Sequence, residues 1–300
     1  MRIDIVTPDR DELGESPVWD GRTGRLFRID SRRHLVRACR PDGSGGEAWT
    51  LPGEIGSIAL CDSGRLLVAL EATIGFLDLG SGGFAPLATI AHQAERMRLN
   101  DGRVDRAGRF CVGSLVLGRR EPLGRFYRLD ADGGIAELDQ GFCTANTTCF
   151  SPDGRWMYCA DSHAGEIWRY AYDGADGRVG PREVFVDRVA LGGAPDGATV
   201  DAAGFLWVAL VLSGELARIS PDGVVERRIS LPVPYPSCPC IGGDDLDTIY
   251  VTTIRNSGNA LKSDHQDSGA LLAIRGAGVV GLPEMRFADA ALATNRGGKQ

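Results

Sequence analysis

Apolar and polar residues alternate along this chain in short runs, and the runs come in pairs joined by a tight turn. That period-two pattern predicts half-buried β-strands. The paired unit recurs six times, and a fixed internal period is the signature of a repeat architecture. The copies run from Glu15-Ser-Pro-Val-Trp-Asp to Gly24-Arg-Leu-Phe; from Gly56-Ser-Ile-Ala-Leu to Gly64-Arg-Leu-Leu; and from Asn100-Asp-Gly-Arg-Val-Asp to Gly108-Arg-Phe-Cys. Three more run from Asn146-Thr-Thr-Cys-Phe-Ser to Gly154-Arg-Trp-Met, from Asp196-Gly-Ala-Thr-Val-Asp to Gly204-Phe-Leu-Trp, and from Cys238-Pro-Cys-Ile-Gly-Gly to Asp247-Thr-Ile-Tyr. From Gly24 to Asp247 the turn residues stand 40, 44, 46, 50 and 43 residues apart, the length of a four-stranded blade. A second alternating arm follows each copy, beginning near His34, Gly75, Gly124, Gly165, Gly214 and Gly269. Asp42-Gly43, Asp132-Gly133 and Asp222-Gly223 supply the positive φ that tight hairpins need.

Six units of two hairpins predict an all-β chain folded as one six-bladed β-propeller over residues 1–300, an architecture that leaves only short, protected edges. A two-sheet sandwich or two β domains is the alternative for the same alternation; the blade-length repeat favours the ring. Residues 1–8, with Arg2 to Thr7 as a strand, are expected to close the last blade, because an unpaired edge there invites aggregation. Residues 294–300 are polar and glycine-bearing and are expected to fray.

Composition narrows the partners. With 43% hydrophobic and 24% charged residues, the chain has material for a sizeable core. A net charge of -7 argues against a nucleic-acid backbone or an anionic membrane as main partner, since no basic cluster is present to release counterions. A small neutral or polar ligand fits better, and nothing in the pattern calls for an obligate protein partner. The start, Met1-Arg-Ile-Asp-Ile-Val, lacks the apolar stretch of a secretory signal. The eight cysteines are therefore expected to be reduced, mostly buried, and the protein cytoplasmic. Cys238-Pro-Cys240 has no second Cys or His pair at zinc-site spacing.

The repeat register carries the chemistry. Asn100, Asn146 and Asp196 each stand eight residues before their turn glycine, and Glu15 stands nine before Gly24. Equal offsets in equal units place these side chains together at one mouth of the central channel. Asn and Asp are ordinary turn formers, but four oxygen-bearing residues in register are more than turns require. Two carboxylates and two carboxamides suit a hard divalent cation; register alone does not divide the four between metal and substrate.

Leu13-Gly-Glu-Ser-Pro-Val-Trp, Arg98-Leu-Asn-Asp-Gly-Arg-Val-Asp, Ala194-Pro-Asp-Gly-Ala-Thr-Val-Asp, Leu206-Trp-Val-Ala, Ser237-Cys, Gly242-Gly and Leu246-Asp-Thr-Ile-Tyr-Val-Thr resemble the senescence marker protein (regucalcin)/gluconolactonase family over nearly the whole chain. The resemblance implies a six-bladed propeller with one divalent cation at the channel mouth, hydrolysing sugar lactones. It implies Glu15, Asn146 and Asp196 as metal ligands, with Arg98 and Asn100 contacting substrate. The cation's identity among calcium, zinc, manganese, magnesium and ferrous ion is left open. Two departures bear on substrate. Gly118 occupies the position of an acidic substrate contact in some members, with Glu121 close by as its candidate replacement, and Asn146-Thr-Thr replaces the more usual Asn-Gly-Leu.

Lactone hydrolysis needs an electrophile for the ester carbonyl and a base for water, which a divalent ion beside a carboxylate provides. Asp196 is the candidate base, and Arg98 the candidate hydroxyl or oxyanion donor. Ser16 lacks a Gly-x-Ser-x-Gly elbow, and the four histidines are scattered, His163 reading as a loop residue. Arg98, Arg119, Arg120 and Glu121 offer polyol hydrogen bonds, favouring an aldonolactonase. A phosphotriesterase-like or other esterase, or a noncatalytic metal-binding scaffold, are the alternatives; a fold alone does not choose among them.

Overall fold

The computed structural model describes residues 1–290 and Leu292; the tail expected at 294–300 lies outside them. Six four-stranded antiparallel sheets form a ring, a six-bladed β-propeller. The inner strands are Gly14–Asp20, Ile55–Leu60, Met97–Val104, Ala145–Phe150, Pro195–Val200 and Pro236–Gly242, and each packs against the inner strands of the blades before and after it. The sixth sheet is composite. Arg2–Ile5 lies outermost, paired with Leu272–Arg275 in the register Arg2 to Arg275 and Ile5 to Leu272. The first strand of the chain thus shares a blade with the last.

Burial explains the strand patterns. Inner and second strands such as Ile55–Leu60 and Leu66–Leu70 are buried at every position, because neighbouring blades cover both faces. Outer strands such as Val225–Ser230 keep polar residues in solvent. The core therefore lies between blades: Phe110, Val112, Leu67 and Phe76 join blades two and three, and Trp207, Ile249, Val251 and Leu272 join five and six. The turn glycines all take positive φ, from 64° at Gly24 to 92° at Gly133, where a Cβ is costly. The segment Arg188–Leu191 is a single turn of α-helix. All eight cysteines are free, and all but the half-buried Cys143 are buried.

One segment falls outside the repeat. Residues 281–289 cross the channel at the end opposite the starts of the inner strands. Phe287 is buried among blades two and three, its N–H donating to the Leu60 carbonyl at 2.8 Å, and the Ala288 N–H donates to the Gly108 carbonyl at 2.9 Å. Glu284 enters the channel and meets Arg103 of an inner strand at 2.9 Å. A void of about 30 Å³ remains around this pair, and a cleft of about 760 Å³ lies on the far side of the segment, between Trp19, Arg106 and Met285.

Candidate functional site

All six inner strands are irregular at the same level. Ladder register shifts between Glu15 and Val18, Ile55 and Ser57, Leu99 and Gly102, Asn146 and Cys149, Pro195 and Ala198, and Pro236 and Pro239. A bulge bends its strand and re-aims a side chain, so each of the four register residues sits within or beside a bulge at the channel mouth. Ser16 and Thr147 take φ of 47° and 61°, strained for residues with a Cβ. Thr147 is held by its hydroxyl, which donates to the Asp196 carbonyl at 2.6 Å.

A directed relay crosses three blades. Arg98 Nη1 donates to Asn100 Oδ1 at 2.8 Å, Asn100 Nδ2 to Asn146 Oδ1 at 2.6 Å, and Asn146 Nδ2 to Asp196 Oδ1 at 2.8 Å. Arg98, Asn146 and Asp196 are only 6%, 5% and 7% exposed. Burial pushes the Glu15 carboxyl well above its ordinary range, and the Asp196 and Asp101 charges add to it while Arg98 opposes. Asp196 is likewise raised by burial and by Asp101. Burial lowers the Arg98 guanidinium, against Glu54 and Glu15, without neutralising it at any ordinary pH.

These residues floor a cavity of about 390 Å³, within the range of small-molecule sites. Its walls differ. Leu13, Val211, Leu212, Ile254 and Leu261 make one side apolar, while Arg119, Arg120 and His163 line it elsewhere. Glu15, Arg98, Asn100, Asn146 and Asp196 are thus brought together. Glu121 is not: it is absent from the lining, and its carboxylate, 45% exposed, pairs with Arg119 at 3.3 Å. The irregular loop turns Arg119 and Arg120 to the cavity instead.

Three contributors escaped the sequence reading. Glu54 lies 3.5 Å from Arg98 and 2.8 Å from Arg32; blade-two register pointed to Gly56, two positions on. Ser162 accepts from Asn146 Nδ2 at 2.8 Å and donates to the Pro195 carbonyl at 2.6 Å. It follows a second strand, so inner-strand offsets never reach it. Asp101, beside Asn100, accepts the Thr148 N–H at 2.6 Å, and burial raises its pKa.

The donor set fits a hard divalent cation. Two buried carboxylates raise each other's proton affinity, a conflict that a nearby cation reverses. Among the described residues one side-chain hydrogen bond reaches the Asp196 carboxylate and none reaches that of Glu15. Asn146 Oδ1 accepts one bond and keeps a lone pair. Among the described residues no three His, Cys, Asp or Glu side chains cluster to hold a metal; the family resemblance implies the Asn146 carboxamide oxygen as the third protein ligand.

Comparison with known proteins identifies the family. The model of the SMP-30/Gluconolactonase/LRE-like region matches residues 13–255. The chain is 36% identical over 278 residues to the 6-deoxy-6-sulfogluconolactonase of Pseudomonas putida, covering 92% of this chain and 95% of that one. It is 36% identical over 275 residues to the L-arabinolactonase of Azospirillum brasilense, covering 90% of each. Among solved structures, the calcium-binding protein regucalcin of Agrobacterium tumefaciens shares the fold, with a TM-score of 0.87 at 24% identity over 94% of this chain and 96% of that one. The chain belongs to the SMP-30/gluconolactonase/LRE-like family, which includes sugar lactone lactonases.

Proposed function

We propose that the protein hydrolyses a sugar lactone to its aldonic acid at the channel mouth. The observation that carries this reading is the relay from Arg98 through Asn100 and Asn146 to Asp196, buried at the floor of a small-molecule cavity. Asp196 is the base. Its Oδ1 is oriented by Asn146 and its backbone by Thr147, leaving the second oxygen to take a proton from water as that water attacks the ester carbonyl carbon. The carbonyl–ring-oxygen bond then breaks, and Asp196 returns the proton to the leaving oxygen, completing general base and general acid steps with one carboxyl. The Arg98 guanidinium, fixed by Asn100 and the Leu99 carbonyl at 2.9 Å, donates to the developing oxyanion or to a sugar hydroxyl. A divalent cation held by Glu15, Asn146 and Asp196 would supply Lewis acidity toward the ester carbonyl and favour the ionised carboxylates around it.

Among the described residues the cavity lining holds no Phe, Tyr or Trp, which disfavours an aromatic-lined organophosphate site. Its apolar wall keeps a simple carboxylic ester as the second reading. Base uptake during hydrolysis of a panel of aldonolactones, with aryl and alkyl esters as competing arms, tests both. Cation-independent rates, or parental rates in Asp196→Asn, would remove the mechanism.

A further inference from the structure

We propose that Arg120, seconded by Arg119, selects a lactone that carries an anionic group remote from the ester: a carboxylate, a phosphate or a sulfonate. This rests on the lactonase reading of the same cavity. Arginines in this protein are mostly neutralised where they stand. Arg28 pairs with Asp11, Arg103 with Glu284 and Arg128 with Asp130, and the floor arginine, Arg98, faces Glu54. Arg120 differs: among the described residues it has no ion-pair or hydrogen-bond partner, yet it lines the cavity. Its neighbour Arg119 also lines the cavity and holds its carboxylate partner, Glu121, only in an exposed contact at 3.3 Å, which solvent and salt weaken. The Arg96 guanidinium lies against Gly118 in the same loop. Two arginines thus line the cavity from one loop, with Arg96 behind them at Gly118, in a chain whose net charge is -7.

Arg119 and Arg120 can donate to polyol hydroxyls, as the sequence suggested, but a neutral polyol leaves the Arg120 charge uncompensated. Hydroxyls are met by neutral donors and acceptors such as Ser162 and Asn100, whereas a planar guanidinium pairs two-point with carboxylate, phosphate or sulfonate oxygens. Cationic walls around a cleft also draw an anion inward. Because this contact is made away from the reacting ester, it stabilises substrate and transition state alike, so its loss appears in KM with kcat little changed.

The test compares gluconolactone, which is neutral, with its terminal phosphate ester, its terminal sulfonate analogue and glucarolactone, which bears a terminal carboxylate. The parent protein, Arg120→Gln, Arg119→Gln and the control Arg155→Gln are assayed. Arg155 is exposed, pairs among the described residues only with Asp153, and is not part of the cavity lining. The expected result is a higher kcat/KM for one anionic lactone than for gluconolactone. In Arg120→Gln that advantage falls about ten- to a hundredfold, the worth of a charged hydrogen bond, through KM. The neutral substrate and the Arg155→Gln protein are unaffected, and added salt erodes the preference. Which anionic lactone leads names the group. Gluconolactone turned over as well as every anionic lactone, or Arg120→Gln slowing both kinds equally, overturns the proposal while leaving lactone hydrolysis intact. No hydrolysis of any lactone by the parent removes the underlying reading, and this inference with it.

Discussion

Without a divalent cation, Glu15→Gln is expected to be more stable than the parent protein at neutral pH. Glu15 ordinarily titrates near 4.5, and burial beside Asp196 and Asp101 raises it well above that in the folded state. Below 4.5 the carboxyl is protonated in both folded and unfolded chains, and its contribution to stability is fully present. As pH rises further the unfolded chain releases the proton while the folded chain keeps it, and stability falls until the folded pKa is passed. The loss is about 1.4 kcal/mol per pH unit for one proton, so over roughly three units the bound at pH ~7.5 is about 4 kcal/mol. The glutamine side chain of the variant resembles the protonated acid and escapes this loss. At about 2 °C per kcal/mol for a chain of this size, the gain is at most about 8 °C in Tm. Thermal or urea unfolding in chelator from about pH 4 to pH 8 reads it directly, the two proteins converging at the acid end. Adding cation should narrow the gap and, at about a thousand times its Kd or more, close it, because a bound ion stabilises the parent by about 2.7 kcal/mol at a hundred times its Kd and about 4.1 kcal/mol at a thousand times, and the variant less. A Glu15→Gln protein less stable than the parent throughout that range in chelator would refute the reasoning.

Three further outcomes follow from packing and closure. Glu284→Ala leaves Arg103 buried without its carboxylate and should cost about 3–5 kcal/mol in urea unfolding, whereas Arg103→Met with Glu284→Leu should recover most of it; an equally unstable double variant would argue that the strap matters for its backbone alone. A Cβ on Gly197 would fall 2.8 Å from the Cys238 Cα, so Gly197→Ala should cost about 1–3 kcal/mol and lower kcat/KM by displacing Asp196, and parental kinetics would contradict that placement. Deleting residues 1–8 removes the strand paired with Leu272–Arg275 and should lower Tm by several degrees; an unchanged Tm would show that this strand does not close the ring.

The sequence disclosed what repetition repeats. Positive φ at a hairpin turn is a local demand, so Gly24, Gly64, Gly108, Gly154 and Gly204 marked the blades, and ring geometry then turned equal offsets into the convergence of Glu15, Asn100, Asn146 and Asp196. What lies outside the repeat stayed hidden. The strap at 281–289 is held by backbone bonds to Leu60 and Gly108, far away in the chain and without alternation to announce them. Ser162 reaches Asn146 from a different strand end. The loop from Leu117 to Leu123 has no period to fix side-chain direction, which is why Arg119, Arg120 and Glu121 were all expected at the substrate while only the two arginines line the cavity. Glu54 sat just off register beside Gly56, where a strict offset passed over it.

Cation-assisted hydrolysis at Asp196 stands or falls on the rate of ring opening of an aldonolactone by the parent protein and by Asp196→Asn, each in chelator and after cation is restored. Turnover by the parent should disappear in chelator and return with cation. Turnover by Asp196→Asn should be reduced at least about a hundredfold in both, the lower range of a lost general base, in a protein that remains folded. Equal rates for the two proteins once cation is restored, or full parental activity in chelator, would contradict it.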